Sequence, residues 1–412
     1  MVQVNLLRIY FEVSRLIGLC NLHFDARSQR FILNHVPTVI YCIVLNVAYL
    51  LILPFALALL TGDIYECPNV GMFGVVYNVV ALTKLLAMLL LVIHVWTQRR
   101  RLQMLGNDIL EMLHKFRFAL GNDCRKRCLW KVLLTSSRFV LLTQQLVFRD
   151  SLVRCEADSS FRRAMLPYHL AAIVYALILL LLASYVDLTV YMMQVAGNWL
   201  LANISQEVQE MLQDLKALPN RRGVPREMCQ RQILPAWRKL WRRCLHLDGL
   251  LKQTVEVFQW QILINLLTIY IFNIAILFRL WTYLTFDNDF NIWKGIVYVV
   301  LFLTHHAEIT MQFSVFEINR SKWLELLDRV GKLWLANFSG SKYKNSYGII
   351  LSRQLEISIL FLNRKLHLHP KRVRHLHIAG LFDLSNSSVF EMSRSIITHV
   401  LVLCQIAYKI YG

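Results

Sequence analysis

The residues with the clearest chemical potential lie in the last stretch of the chain, residues 389–411. This mostly apolar run is long enough to cross a bilayer as a helix, at about 1.5 Å per residue. Steps of three and four place six of its residues on one helical face: Phe390, Arg394, Ile397, Leu401, Gln405 and Tyr408. Polar side chains inside a membrane normally face protein or a water-filled cavity. The face therefore suits the lining of a pore, and it equally suits a helix hydrogen-bonded to its neighbours.

Other polar groups offer little catalytic or metal-binding chemistry. The run His305-His306-Ala307-Glu308 lacks the His-Glu-x-x-His spacing that places two zinc ligands on one helical turn. A solvated linker explains a further group of histidines better than a metal site does: His367, His369, His375 and His377. No pair of nucleophile and base stands out. We predict no enzymatic activity, no metal and no cofactor.

Composition predicts a membrane protein. Of the 412 residues, 56% are hydrophobic, which is too apolar for an ordinary soluble chain. The net charge of +19 comes without zinc-finger spacing or an RNP-like aromatic pattern, so nucleic acid is not a predicted partner. Basic cytoplasmic loops explain the charge instead. Residues 1–35 do not read as a signal peptide, so we expect the first span to act as an uncleaved signal anchor.

We predict an all-α fold with seven transmembrane helices, at residues 36–60, 70–96, 129–148, 166–195, 258–284, 292–316 and 389–411. The third span contains Lys131 and Arg138. A charge at a helix centre costs about 2.5–3.5 kcal/mol on insertion, so neighbouring spans must shield this one. Asp187 and Glu308 are the counter-charges expected for Lys84 or Arg138.

The distribution of basic residues predicts the orientation. They crowd the segment before span one and the connections two-to-three, four-to-five and six-to-seven, whereas acidic residues such as Asp63 and Asp287 occupy outer loops. Four arginines in the connection after span three are the exception: Arg149, Arg154, Arg162 and Arg163. The positive-inside rule thus places the N-terminus in the cytoplasm and the C-terminus outside. This is opposite to a G-protein-coupled receptor, and no G protein is needed.

The inner connections carry amphipathic helical stripes. One follows span four, a second precedes span five, a third follows span six and a fourth precedes span seven: Leu201 to Leu218, Trp237 to Val255, Trp323 to Trp334, and Leu355 to Leu362. They predict a cytoplasmic helical bundle. The resulting organisation is a cytoplasmic segment 1–35, spans one to four in 36–196, a helical extension 197–257, spans five and six in 258–316, anchor helices and linker 317–388, and the last span 389–412.

The end of the chain resembles a known family. Thr398-His399, five apolar or small residues, and Gln405-Ile406 are similar to the C-terminal signature of insect gustatory receptors, Thr-Tyr, five hydrophobics, Gln-Phe. Gly380 and Phe382 fit the same family. His399 replaces its Tyr, and Ile406 replaces its Phe.

The resemblance implies a ligand-gated cation channel in the plasma membrane, on dendrites of gustatory neurons. Four identical or mixed subunits would be held by the anchor helices around a pore formed by the last span; an intrasubunit bundle is the alternative. The ligand would be a small-molecule tastant such as a bitter compound. An olfactory-type channel, a seven-span transporter and a membrane enzyme remain alternatives.

A ligand pocket is expected in the outer half of spans one to six, because apolar walls with a few hydrogen-bonding groups are typical of small-molecule sites. Its candidates are Tyr77, Gln144, Tyr168, Tyr175, Asn273 and Tyr298, whereas Trp281 and Trp293 suit an interfacial belt. Cys67 and Cys155 fall in outer loops and could form a disulfide. Arg394 would ring a cation path with positive charge unless it pairs, for instance with Glu391, or unless subunits mix.

Overall fold

Helices form nearly all of the computed structural model, which describes residues 12–13, 15–18, 21–25, 27–28, 30–33, 35–66, 71–116, 122–147, 159–217, 224–286, 292–339, 377–378 and 382–411. In chain order they are α1 (Val36–Glu66), α2 (Gly71–Thr97), α3 (Arg99–Phe116), α4 (Asn122–Val147), α5 (Ser159–Ala217), α6 (Val224–Phe286), α7 (Ile292–Ser339) and α8 (Asn386–Tyr411). The all-α fold class is confirmed. The described residues add two short antiparallel hairpins, β1 (His23–Asp25) with β2 (Arg30–Ile32) and β3 (His377–Ile378) with β4 (Phe382–Asp383).

Each predicted span lies inside a helix, with at most one residue outside it. The seven helices concerned are α1, α2, α4, α5, α6, α7 and α8. Among the described side chains, four segments are long and apolar enough to cross a membrane: Leu180–Asp214, Pro235–Thr282, Gly295–Lys332 and Asn386–Lys409. A shorter apolar segment, Val36–Ile52, lies in α1. The count of seven spans and their orientation remain predictions.

Three helices are much longer than a bilayer requires. Helices α5, α6 and α7 contain 59, 63 and 48 residues, whereas about 20 suffice for a span. Their extra turns carry three of the predicted amphipathic stripes, and these stripes pack against one another within the chain. Val208, Trp237, Trp241, Trp323 and Val330 surround a small apolar cavity there. This is the arrangement that the intrasubunit alternative expects; a role in joining subunits stays a prediction. The fourth stripe, residues 355–362, lies outside the described residues.

The main apolar core runs along α5, α6 and α7, with α1 and α2 packed on its side. It reaches the start of α8 through Leu384 and Val389. Helix α8 begins at a serine cap, where the Ser388 N–H donates to both the carbonyl and the hydroxyl oxygen of Ser385. The cap fixes the point at which the polar segment before the last span becomes helical.

The first hairpin and α3 were not predicted from sequence. At its turn, the backbone N–H of Arg27 donates to the Asp25 carboxylate at 3.0 Å, which lowers the pKa of that carboxyl group. In β2 the Phe31 N–H donates to Asn107 Oδ1 at 2.8 Å. Gln103 Nε2 donates to the Phe31 carbonyl at 2.8 Å. The Phe31 side chain is buried against Gly106 of α3, so the hairpin is docked on a basic amphipathic helix that resembled a loop in the sequence.

Replacing Gly106 by Ala should weaken this docking. A Cβ there would lie 2.8 Å from Cδ2 of Phe31, so the buried ring must shift. Overpacking of this kind costs about 1–3 kcal/mol. We expect a lower melting temperature for the solubilised protein and faster proteolysis near the hairpin. Gly249→Ala is the control, because nothing lies within 4 Å of its Cβ position. Equal effects of the two substitutions would show that the Phe31–Gly106 contact is unimportant.

Candidate pore and ligand site

Helix α8 is the least covered of the four candidate spans. Within an 18-residue apolar stretch of α8, 11% of the residues are buried, against 33–50% in the corresponding stretches of the other three. Val389, Ile396 and Ala407 form its buried side. All six members of the predicted pore face are exposed: Phe390, Arg394, Ile397, Leu401, Gln405 and Tyr408. Within one chain this face is available to water, lipid or another subunit, and its pore-lining role remains a prediction.

One hydrogen-bonded group ties α8 to the body of the chain. The Tyr270 hydroxyl of α6 lies 2.8 Å from the Ser395 hydroxyl and 3.1 Å from His399 Nδ1. His399 Nδ1 also lies 2.7 Å from the Ser395 carbonyl, which can only accept, so this nitrogen carries the proton. His399, which departs from the family signature, therefore has a definite structural contact. Sequence reasoning identified His399 but not its partner Tyr270.

Arg394 is exposed, as a pore-facing residue requires. Its backbone carbonyl accepts from the Thr398 hydroxyl at 3.0 Å. Among the described residues no ion pair with Arg394 is present, the nearby Glu391 included. The suggested pairing with Glu391 is therefore not seen within the chain.

Two of the predicted ligand residues have described side chains. Asn273 of α6 is fully buried, and its Oδ1 accepts from His305 Nδ1 of α7 at 3.1 Å. Its Nδ2 has no partner in the described part of the chain. Tyr298 of α7 is half-buried. Tyr77, Gln144, Tyr168 and Tyr175 lie in helices, but their side chains are outside the described residues, and Cys67 and Cys155 lie outside them altogether.

Tyr298 belongs to an apolar cluster shared by four helices, which we call the outer apolar cluster. Its members are Leu141 of α4, Leu180 of α5, Phe272 and Ile276 of α6, and Tyr298, Leu301 and Phe302 of α7. About one turn from these cluster members, each of the four helices carries a polar residue. The four polar residues form a polar layer: Arg138, Ser184, Asn273 and His305. With the predicted orientation, the apolar cluster is on the extracellular side of that layer. The two predicted ligand residues thus lie in adjacent layers of one four-helix region.

Glu308 is the centre of a buried charged group beneath the cluster. Its carboxylate lies 3.1 Å from Lys131 Nζ and 2.5 Å from Arg138 Nη1, and it accepts from the Thr135 hydroxyl at 3.0 Å. All four side chains are buried. The prediction that Glu308 is a counter-charge of Arg138 is confirmed. Removing one partner of such a buried pair typically costs about 3–5 kcal/mol.

Asp187 of α5 completes this group. It is buried, lies on α5 one turn from Ser184, and accepts a hydrogen bond from Asn265 of α6; among the described residues it forms no direct ion pair with Lys131 or Arg138. Arg138 also donates to the Ser184 hydroxyl at 2.7 Å. The side chain of Lys84, the other cation considered for Asp187 and Glu308, lies outside the described residues. Sequence reasoning missed Thr135, although its spacing from Lys131 and Arg138, at steps of four and three, signals one helical face.

Metal-binding and redox chemistry find no further support in the described residues. They contain no cluster of three His, Cys, Asp or Glu side chains that could hold a metal ion. His305 bonds to Asn273, and His306 stacks on Phe302 at 6.1 Å between ring centroids. Four described cysteines form no disulfide: Cys42, Cys128, Cys244 and Cys404.

The fold matches solved membrane receptors. The insect olfactory receptor OR5 from Machilis hrabei in complex with eugenol aligns with a TM-score of 0.58 at 11% identity, covering 98% of this chain and 99% of that one. A second structure of the same receptor aligns with a TM-score of 0.57 at 13% identity, with the same coverage. At these identities the likeness shows a shared helical fold.

Sequence comparison identifies the family. The family model described as "7tm Chemosensory receptor" matches residues 7–410. The Drosophila melanogaster protein "Putative gustatory receptor 58c" is 70% identical over 410 residues, which covers 100% of each chain. The chain belongs to the chemosensory receptor family, among its gustatory receptors. The resemblance inferred from the C-terminal signature is thereby confirmed, and the family is one of multi-pass membrane receptors rather than enzymes.

Thr135→Val should destabilise the receptor without changing the shape of the side chain. The buried Glu308 carboxylate would lose one of its donors, at a cost of about 1–3 kcal/mol. We expect a lower melting temperature in detergent. Thr83→Val is the matched control, since that hydroxyl donates to Val79 O within its own helix and is exposed. If both variants melt alike, the Thr135–Glu308 bond adds nothing to stability.

Proposed function

We propose that the protein is a subunit of a ligand-gated cation channel that detects small-molecule tastants, such as bitter compounds. Its site of action would be the plasma membrane of chemosensory neurons, in their dendrites. Four subunits, identical or mixed with other gustatory receptors, would surround a pore lined by α8. Neither nucleic acid nor a G protein takes part. The 70% identity to a gustatory relative favours this function over an olfactory-type channel or a transporter.

The observation that carries the proposal is the uncovered polar-apolar face of α8. An apolar helix of 26 residues presents Arg394 and Gln405 on the side that the chain leaves exposed. Polar side chains at membrane depth require protein or water next to them. Further subunits arranged around a water-filled path supply both. Facing lipid, the same residues would each carry an insertion cost.

Helix α6 offers a route from ligand to pore. Asn273 lies on it one turn from Tyr270, which contacts Ser395 and His399 of α8. The free Nδ2 of Asn273 is a hydrogen-bond donor suited to an acceptor oxygen on a ligand. A ligand packed in the outer apolar cluster and bonded to Asn273 would move α6, and the Tyr270 contact would transfer the movement to α8.

Arg394 favours mixed assemblies. In a tetramer of identical subunits, four guanidinium groups would face the same path. Two such charges about 8 Å apart repel by roughly 2 kcal/mol at an effective dielectric constant of about 20. A permeating cation would meet this field from each subunit. Partner subunits without a cation at this position would dilute it.

Current recordings test the channel and the role of Arg394 together. Cells expressing the chain with partner receptors should show cation currents evoked by tastants, and the wild-type chain alone should show small ones. Arg394→Ser should raise the current of the chain expressed alone and matter less with partners. Lys409→Ser, on the same helix, is the control for a general charge effect. Large wild-type currents that Arg394→Ser leaves unchanged would exclude Arg394 from the pore.

Tyr298→Ala should shift the ligand dose–response curve to higher concentration and leave the unitary conductance unchanged. Its ring forms part of the outer apolar cluster, whose described members include no residue of α8. The neighbouring Val299→Ala is the control, because Val299 points away and is 41% exposed. A changed conductance without a shifted curve would place Tyr298 outside the ligand site.

A further inference from the structure

In helix α4 a stripe of polar side chains is buried and large apolar side chains are exposed, which is the opposite of a helix on the surface of a soluble protein. Its polar stripe, Lys131, Thr135 and Arg138, is buried, whereas large apolar side chains cover its outer surface: Leu129, Trp130, Leu133 and Val140 are 59%, 66%, 51% and 63% exposed. Such a helix is stable only where lipid surrounds its apolar side and protein neutralises its charged side. The acidic groups that do so lie on other helices.

Those acidic groups come from much later in the chain. Lys131 and Glu308 are 177 positions apart, and Thr135 and Glu308 are 173 apart. All three residues of the α4 stripe contact one carboxylate, that of Glu308 on α7. Asp187 on α5 is buried one turn from Ser184, whose hydroxyl accepts a hydrogen bond from Arg138, so it supplies a second negative charge near the cations. Two cations and two anions therefore share one buried region, with no net charge among the four.

We propose that Lys131, Arg138, Asp187 and Glu308 act as one electroneutral network, and that Glu308 is the positioning residue on which the insertion of α4 as a membrane span depends. Before α7 is in place, α4 would contain two buried cations with Asp187 as the one anion near them. The charge balance of the network, rather than any single contact, then determines whether α4 stays inside the bundle. This role does not depend on what the channel conducts or binds.

The proposal makes a distinctive statement about pairs of substitutions. Glu308→Gln leaves two cations with one anion and should eject or misplace α4. Adding Lys131→Met restores the balance, because Arg138 and Asp187 remain. Adding Asp187→Asn instead leaves two cations and no anion. More α4 should therefore be inserted in the Glu308→Gln/Lys131→Met double variant than in the Glu308→Gln single variant. The Glu308→Gln/Asp187→Asn double variant should show no such recovery.

The experiment uses the full-length receptor with an epitope tag after residue 152, in the predicted outer connection that follows α4. Antibody binding to intact cells reports whether α4 has crossed the membrane, and total receptor is measured after permeabilisation. We expect Glu308→Gln to lower the accessible fraction by at least about tenfold, because the penalty for an unpaired buried charge exceeds the roughly 1.4 kcal/mol to which a tenfold change corresponds. Glu308→Gln with Lys131→Met should recover most of it.

An exposed ion pair on α7, the helix that carries Glu308, provides the matched control. Lys332 and Asp328 of α7 form a pair at 2.5 Å with side chains 57% and 61% exposed. Exposed pairs contribute little, so Asp328→Asn, Lys332→Met and their combination should leave tag accessibility unchanged. This separates a loss of charge balance in the buried network from a general effect of removing charges.

Three outcomes would overturn the proposal. In the first, Glu308→Gln leaves the tag as accessible as in the wild type. In the second, the losses from Glu308→Gln and Lys131→Met simply multiply in the double variant, which indicates independent packing effects. In the third, neither double variant gives detectable receptor, because restored charge balance is then insufficient.

Discussion

The arrangement of the subunit depends on how two cations are accommodated inside an apolar helical bundle. Lys131 and Arg138 lie on the buried face of α4, where an unpaired charge is unstable. Glu308 meets both of them and the hydroxyl of Thr135 between them. This contact sets the rotation of α4, since turning the helix would bring its cations into lipid. It also sets its depth relative to α7, because the three donors must align with one carboxylate.

With α4 held in this way, the four helices α4 to α7 form two adjacent layers. The polar layer is closed by hydrogen bonds such as Arg138–Ser184 and His305–Asn273. The neighbouring outer apolar cluster contains aromatic and aliphatic side chains without charges. A pocket lined by apolar walls above a few fixed polar groups is a common plan for small-molecule sites. The charged group thus supports the region in which a ligand is proposed to bind.

Helix α8 stands apart from this organisation. It packs on α6 and α7 along one side and leaves the other side open. Among the described residues, its side-chain hydrogen bonds to the bundle are those with Tyr270, and apolar side chains such as Val389 and Ile396 provide its other contacts. A helix that is fixed along one edge can move relative to a rigid bundle more easily than a fully enclosed helix. Such a position suits a pore-forming element, which must change its position when the channel opens.

Long apolar runs, helical periodicity and the C-terminal signature were sufficient to predict the membrane class, the all-α fold and the family. Long apolar runs have few alternatives to helix in lipid, because every backbone polar group must be satisfied within the segment. The spacing of Phe390, Arg394 and Ile397 likewise determined which side of the last helix would differ from the other. The stripes that follow spans four and six and precede span five could be predicted, because apolar residues at steps of three and four indicate burial of one helix face.

Which residues of different helices contact one another could not be predicted before the packing of the helices was known. Glu308 and Arg138 were recognisable as opposite charges, but their pairing, and the inclusion of Lys131 and Thr135, depends on the relative rotation of α4 and α7. Periodicity defines the face of a helix and does not specify which helix that face contacts. The docking of Phe31 on Gly106 and the contact of Tyr270 with His399 were equally inaccessible. Each joins distant segments through shape and hydrogen-bond geometry, which arise only when the helices are packed together.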